Sequence, residues 1–189
     1  IDKNLNEVYR NQIKNLKSGW NYDFDLVYKT TKNHGFGLKF NQFLSNYTSS
    51  ILIFNLDSNG NLITNTSNLL NSHKITFIGP VYRFESDRKN NSFCSNFYIG
   101  HVKYTSTETI VLGKTKQSAS SLGFGFDYIY YFGLNKNFQI GPKLAYMTST
   151  FSKYKQIYSD GSSEVIKFEN NQRESLARLD LSVAFRYKL

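Results

Sequence analysis

The sequence predicts an all-β fold: an antiparallel up-and-down transmembrane β-barrel of about eight strands, seven of them visible, after a short amphipathic helix. Three observations carry this expectation. Apolar and polar residues alternate with a period of two along most of the chain. The aromatic load is 14 Tyr and 16 Phe against one Trp, a composition suited to strands. Connections alternate between short and long, as in a barrel whose turns and loops lie on opposite sides of a membrane.

Bulk properties bound the classes. The 189 residues fit one domain, with 1–18 as a helical segment on the loop side and 19–189 as barrel strands and loops. Mean hydropathy is −0.46, and no run approaches the ~18 apolar residues of a spanning helix. That average leaves a barrel open, because spanning strands need only alternate. A single Cys94 excludes an internal disulfide. The net charge of +9 comes from Lys and Arg scattered through strands and loops. This argues for a solvated surface or anionic lipid rather than a nucleic-acid footprint.

Residues 4–17 place Leu5, Val8, Tyr9, Ile13 and Leu16 at helical spacing, ending near Ser18-Gly19. The first clear strand puts Trp20, Tyr22, Phe24, Leu26 and Tyr28 on one face and Asn21, Asp23, Asp25 and Lys29 on the other. The second sets Phe36, Leu38, Phe40 and Leu44 against Gly35, Gly37, Lys39 and Asn41. Residues 73–84 and 92–105 are less regular strands. A fifth sets Leu122, Phe124, Phe126, Tyr128, Tyr130 and Phe132 against Ser121, Gly123, Gly125 and Asp127. The sixth opposes Phe138, Ile140, Leu144 and Tyr146 to Gln139, Gly141, Lys143 and Ala145. The last sets Leu179, Leu181, Val183, Phe185, Tyr187 and Leu189 against Arg178, Asp180, Ser182, Arg186 and Lys188.

Ile-Gly-Pro occurs at 78–80 and again at 140–142. Proline removes a ladder donor, so both sites are expected to carry bulges or breaks in pairing. Short turns are expected at 30–34, 85–91 and 133–137, and long loops at 46–72, 106–117 and 152–174. Two of the loops contain hairpins of their own. One turns at Asp57-Ser58-Asn59-Gly60 and the other at Asp160-Gly161, each between strand-like runs.

Volume decides which face points outward. Seven strands carry roughly 35 large apolar side chains, whereas a barrel of ~8 strands has an interior just wide enough for side chains to fill. The large face therefore meets lipid, through Trp20, Tyr22, Phe24, Phe36, Phe40, Phe124, Phe126, Tyr128, Tyr130, Phe138, Tyr146, Phe185 and Tyr187. The lumen receives Asp23, Asp25, Lys39, Asp127, Lys143, Arg178, Asp180 and Arg186 as a charge network, since buried charges persist only when paired. A soluble β-sandwich satisfies the same alternation, but the turn-and-loop rhythm favours the barrel.

Three stretches carry a likeness: Gly19-Trp20 opening the first clear strand, Gly123-Phe124-Gly125-Phe126, and Leu181 to Leu189. Through them the chain, from residue 19 onward, resembles the small outer-membrane β-barrel proteins of Gram-negative bacteria, eight-stranded and adhesion-type or porin-like. The resemblance implies a bacterial outer-membrane location, lipid as partner, no cofactor, no enzymatic activity and a monomer. It implies a structural or adhesive role through the loops at 46–72 and 152–174, where an extracellular ligand would bind. A narrow pore or small-solute channel is the alternative reading, and an enzyme acting on membrane lipid is a third, for which the sequence offers no nucleophile. Members usually finish on an aromatic residue, whereas here Leu189 follows Phe185 and Tyr187 at alternate positions. Bacterial single-chain barrels have even strand numbers, so seven visible strands predict an eighth upstream of residue 19.

Other chemistry is thin. His34, His73 and His101 are isolated, without metal-ligand spacing. His101 lacks a Ser partner of the kind outer-membrane lipid deacylases use. Asp23 and Asp25 share a strand face like a carboxylate pair. Outer-membrane proteases use acidic residues at the barrel rim, but they need more strands and a His partner, so internal ion pairing with Lys39 or Arg178 is the stronger reading. Asn46-Tyr47-Thr48 and Asn65-Thr66-Ser67 read as polar loop residues.

Overall fold

A computed structural model of the chain describes residues 18–56, 60–111, 113–169 and 173–188. They form one antiparallel sheet of β1 (Trp20–Lys29), β2 (His34–Leu56), β3 (Leu62–Arg88), β4 (Asn91–Ile110), β5 (Gly113–Gly133), β6 (Phe138–Phe151), β7 (Lys153–Ile157), β8 (Ser163–Lys167) and β9 (Glu174–Tyr187). The order is β1-β2-β3-β4-β5-β6-β9, with β7 paired to β5 and to β8. The all-β antiparallel architecture is the expected one, and the sheet curls into a half-barrel. The helix expected at 4–17 lies outside the described residues, as does the expected eighth strand.

Local chemistry sets the short connections. Thr31 Oγ1 accepts from the backbone N–H of His34 at 3.1 Å, fixing the β1–β2 turn. Asn135 Oδ1 accepts from the backbone of Phe138 at 2.8 Å in the β6 approach. Lys89 takes a left-handed φ of 44° in the turn between β3 and β4. The turn expected at 85–91 is shorter than predicted, because Glu85 to Arg88 stay in strand and pair through Arg88↔Asn91.

The described residues of the segments 46–72 and 106–117 are strand rather than loop over most of their length. Ladder pairing continues through them, from Asn46↔Ser72 to Leu56↔Leu62 on β2 and β3, and from Thr107↔Lys116 to Ile110↔Gly113 on β4 and β5. Thr, Ser and Ile-rich runs extend a strand readily once a neighbour supplies the ladder. Long ribbons therefore replace the predicted loops. The third long segment holds the β7–β8 hairpin, with Lys153↔Lys167 and Ile157↔Ser163, as its turn chemistry predicted.

The Ile-Gly-Pro sites break pairing on one side only. Ile78 pairs with His101 and Val81 with Tyr98, leaving Gly79 and Pro80 unpaired toward β4. Pro80 still faces Leu38 across β2. At the second site Ile140 pairs with Phe132 and Lys143 with Ile129. Register is the same on either side of each gap, so these are breaks without an inserted residue and not bulges. Glycine is required beside the second proline: a Cβ on Gly141 would lie 1.7 Å from the Tyr130 carbonyl oxygen.

The outward face is the aromatic one, with Trp20, Phe24, Phe36, Phe124 and Phe185 among its exposed residues. Phe126 and Tyr146 share that face but are half-buried, their rings 5.4 Å apart. The interior corrects the sequence expectation of small and polar residues alone. Phe43, Ile75, Phe77, Val81, Tyr98, Val102, Met147 and Phe151 fill its ribbon-end half. Glycines make the room: a Cβ on Gly125 would meet the Tyr98 ring at 2.6 Å.

The curl leaves a seam. Both edge strands run from the ribbon end toward the short-turn end, so β1 and β9 lie parallel and the antiparallel ladder stops at each. Inward positions are buried along β6 but only half-buried along β1 and β9. A cleft of about 880 Å³ follows the seam, lined by Asp25, Tyr28, Lys29, Phe185, Arg186 and Lys188 among others.

Two outcomes test this architecture. Phe124→Arg, at an exposed position, should cost about 2–4 kcal/mol in lipid-vesicle unfolding, as a charge at bilayer depth does, whereas an aqueous surface would absorb it within about 0.5 kcal/mol. Gly141→Ala should destabilise by roughly 1–3 kcal/mol through overpacking, measured in the same titration.

Candidate functional site

The interior near the middle of the sheet is built from period-two positions on six strands. Lys39 of β2 stands directly across from Asp25 of β1. Its side chain is fully buried. Its Nζ donates to Asp23 Oδ1 at 2.7 Å, Asp25 Oδ1 at 3.0 Å and Asp127 Oδ2 at 2.9 Å. Lys143 of β6 adds contacts to Asp23 at 2.8 Å and Asp127 at 3.1 Å. Arg83 of β3 reaches Asp25 at 3.2 Å and donates through Nε to Asn96 Oδ1 at 2.8 Å. Asn96 Nδ2 returns hydrogen bonds to Asp25 and Asp127, each at 3.2 Å. Three carboxylates thus face three cations: Asp23, Asp25 and Asp127 against Lys39, Lys143 and Arg83. The balance is what lets this much charge be buried.

Arg178 and Asp180 sit beside this cluster. Arg178 Nε donates to Asp180 at 2.8 Å, and Nη2 reaches Asn41 at 2.5 Å and Asn21 at 3.4 Å. The expected alternative partner for Asp25, Arg178, is therefore engaged elsewhere. With Lys143–Asp23, the Arg178–Asn21 contact bridges the seam through side chains.

Arg186 is separate from the other lumen charges. It pairs with Glu85 at 2.9 Å and donates to Ser92 Oγ at 2.6 Å and, through Nε, to Gln139 at 2.8 Å. Lys29 and Lys188 approach the same Glu85 at 3.1 and 3.4 Å. Arg83 and Glu85 were missed in the sequence. Their signal was there: Arg83 and Glu85 alternate with the outward Tyr82 and Phe84.

All three histidines lie in strands, and His73 turns inward, its Nδ1 2.6 Å from the Tyr104 hydroxyl. It borders a cavity of about 250 Å³ with Phe43, Tyr104, Phe151 and Glu174 at the ribbon end.

Above the sheet the β2–β3 ribbon projects furthest. β4 accompanies it only as far as Leu70↔Thr109. Beyond that level Leu52, Leu62 and Ile63 are exposed at 60%, 66% and 43%. The β7–β8 hairpin instead leans on β5 through Lys116↔Ile157 and Ser118↔Lys155. At its tip Ser162 donates to Asp160 Oδ1 through its hydroxyl at 2.6 Å and its backbone N–H at 2.8 Å. These bonds hold the Asp160 carboxyl below the usual carboxylate range. Tyr158, hydrogen-bonded to Glu164, is held above its ordinary value.

No family model matches the chain, and no curated protein matches it. Among solved structures it is similar to the crystal structure of outer membrane protease OmpT from Escherichia coli, with a TM-score of 0.53 and 8% identity over 89% of this chain. The chain spans 62% of the length of that protein. At this identity the likeness shows the fold alone, an outer-membrane barrel fold. It corrects one expectation: the absence of enzymatic activity does not follow from the fold, because a protease is built on it.

The central cluster makes a direct prediction. Lys39→Met keeps the volume but leaves three carboxylates short of a cation, so it should destabilise by about 3–5 kcal/mol. Lys136→Met, in the exposed turn before β6, should stay within about 0.5 kcal/mol. Urea titration in vesicles followed by aromatic fluorescence compares the two.

Proposed function

We propose that this chain is an outer-membrane barrel protein of the bacterial cell surface, whose role is surface binding through the ribbons at 46–72 and 152–174. The observation that carries the reading is the apolar tip of the β2–β3 ribbon. Past its last contact with β4, this ribbon continues through about eight paired positions, roughly 25 Å of strand at 3.3 Å per residue. It ends with Leu52, Leu62 and Ile63 exposed. Exposed apolar residues at the end of a projecting element, well past the aromatic face, are placed to meet another apolar surface. The long-ribbon side corresponds to the extracellular side of outer-membrane barrels, and the short turns to the periplasmic side.

The pore reading has weaker support. At the level of Lys39, Asn96 and Asp127 all three side chains are fully buried, and they fill the interior rather than line an opening.

Deleting residues 50–64 should abolish binding of cells expressing the protein to their target surface, while vesicle-reconstituted protein keeps its unfolding midpoint. Unchanged binding in cells that still display the truncated protein would sink the adhesive reading. Stepwise single-channel conductance, altered by Lys143→Gln, would favour the pore.

A further inference from the structure

Lysines on the ribbons are sorted onto one side. On β4 and β5 the outward positions continue upward from Ile99 and Leu122 as His101, Lys103, Thr105, Thr107 and Thr109, and as Ser120, Ser118, Lys116 and Lys114. Lys155 lies directly across from Ser118, which extends the same face onto β7 with Lys153 two residues earlier. Lys153 in turn faces Lys167 on β8. Residues directly opposite in a ladder share a face, so Lys103, Lys114, Lys116, Lys153, Lys155 and Lys167 form one surface. All six are exposed. None has an ion-pair partner among the described residues.

The acids of these strands are on the other side. Glu108 faces Thr115, and Glu164 faces Gln156, both on the inward face. A solvated ribbon has no need of this segregation, since mixed signs keep it soluble equally well. Like charges at this density repel one another unless a counter-charge lies against them. The surface also has a defined height. It begins at Lys103, four residues past Ile99, and reaches Lys114, eight residues past Leu122. It is a band from roughly 13 to 26 Å of strand past those apolar residues at 3.3 Å per residue, on the side where headgroups would follow the hydrocarbon core.

We infer that this face binds the anionic phosphate headgroups of the leaflet from which the ribbons emerge. The inference rests on the outer-membrane reading above, and it concerns a face different from the apolar ribbon tip. Lysine is suited to the task as a compact point charge that takes phosphate in any direction. The interleaved Thr105, Thr107, Ser118 and Ser120 supply hydroxyl donors to phosphate oxygens. Each lysine near an anionic surface contributes roughly a fivefold gain in association.

Amine-reactive labelling read by mass spectrometry tests this on the unmodified protein. The protein is reconstituted into phosphatidylcholine vesicles, with or without phosphatidic acid. Labelling of Lys114, Lys116, Lys153 and Lys155 should slow about tenfold with phosphatidic acid present, and high salt should reverse the effect. In parallel, phosphatidic acid should raise the unfolding midpoint of the wild type. It should not raise that of a variant with these four lysines changed to Gln. Equal labelling in both vesicle types, with strand circular dichroism confirming insertion, would overturn the headgroup inference and leave the barrel reading standing. Equal protection by soluble polyphosphate in phosphatidylcholine vesicles would overturn the lipid as occupant. Failure to insert into either membrane would overturn the outer-membrane reading itself, and this inference with it.

Discussion

The structure depends on one buried cation and the carboxylates that surround it. Lys39 contacts Asp23, Asp25 and Asp127, groups contributed by strands at the edge and the middle of the sheet. In a ladder each strand is held only to its neighbours. The cluster instead ties β1 to β6 and β2 to β5 across the interior, through Lys143–Asp23 and Lys39–Asp127. Among the described residues no ladder joins β1 to β9, and side chains take over the work of holding the edges together. Buried charge is a costly way to do this unless every member has its partner. The equal numbers of carboxylates and cations meet that condition.

The rest of the molecule follows from a division of labour along each strand. Outward positions carry rings and aliphatic groups over the span of β1, and inward positions carry the charges. Past that span the same alternation carries lysines outward and Glu108 and Glu164 inward. One period-two pattern thus builds three surfaces in succession: an apolar face, a lysine-bearing face above it and the ribbon tips. The inward face changes too, from the polar cluster to the packing of Phe43, Phe77, Tyr98 and Phe151. That apolar plug lies between the charge cluster and the cavity beside His73, so the two are separate features of the interior.

Much of the fold was legible because strand alternation is a local property. The outward face of β1, β5 and β9 could be read residue by residue, and so could the Asp25–Lys39 pairing, since a short hairpin turn sets the register. What was not legible depended on distance in sequence. Asp127 is 88 residues from Lys39, and no local pattern says which carboxylate a buried lysine will find. Arg186 was grouped with the central charges on alternation alone, yet its height along β9 sends it to Glu85. The large interior rings were misjudged because the room for Tyr98 comes from Gly125 on a neighbouring strand.

The sequence by itself determined the class of fold and the face each strand turns outward, because side chains in a strand alternate whatever lies beside it. It also determined some of the turns, through residues such as Asn135 and Asp160 whose side chains bond nearby backbone. Tertiary structure decided which charges meet, how far the ribbons run and which lysines share a surface. Those depend on strand register and on β7 docking against β5, and both arise only when segments distant in sequence pair.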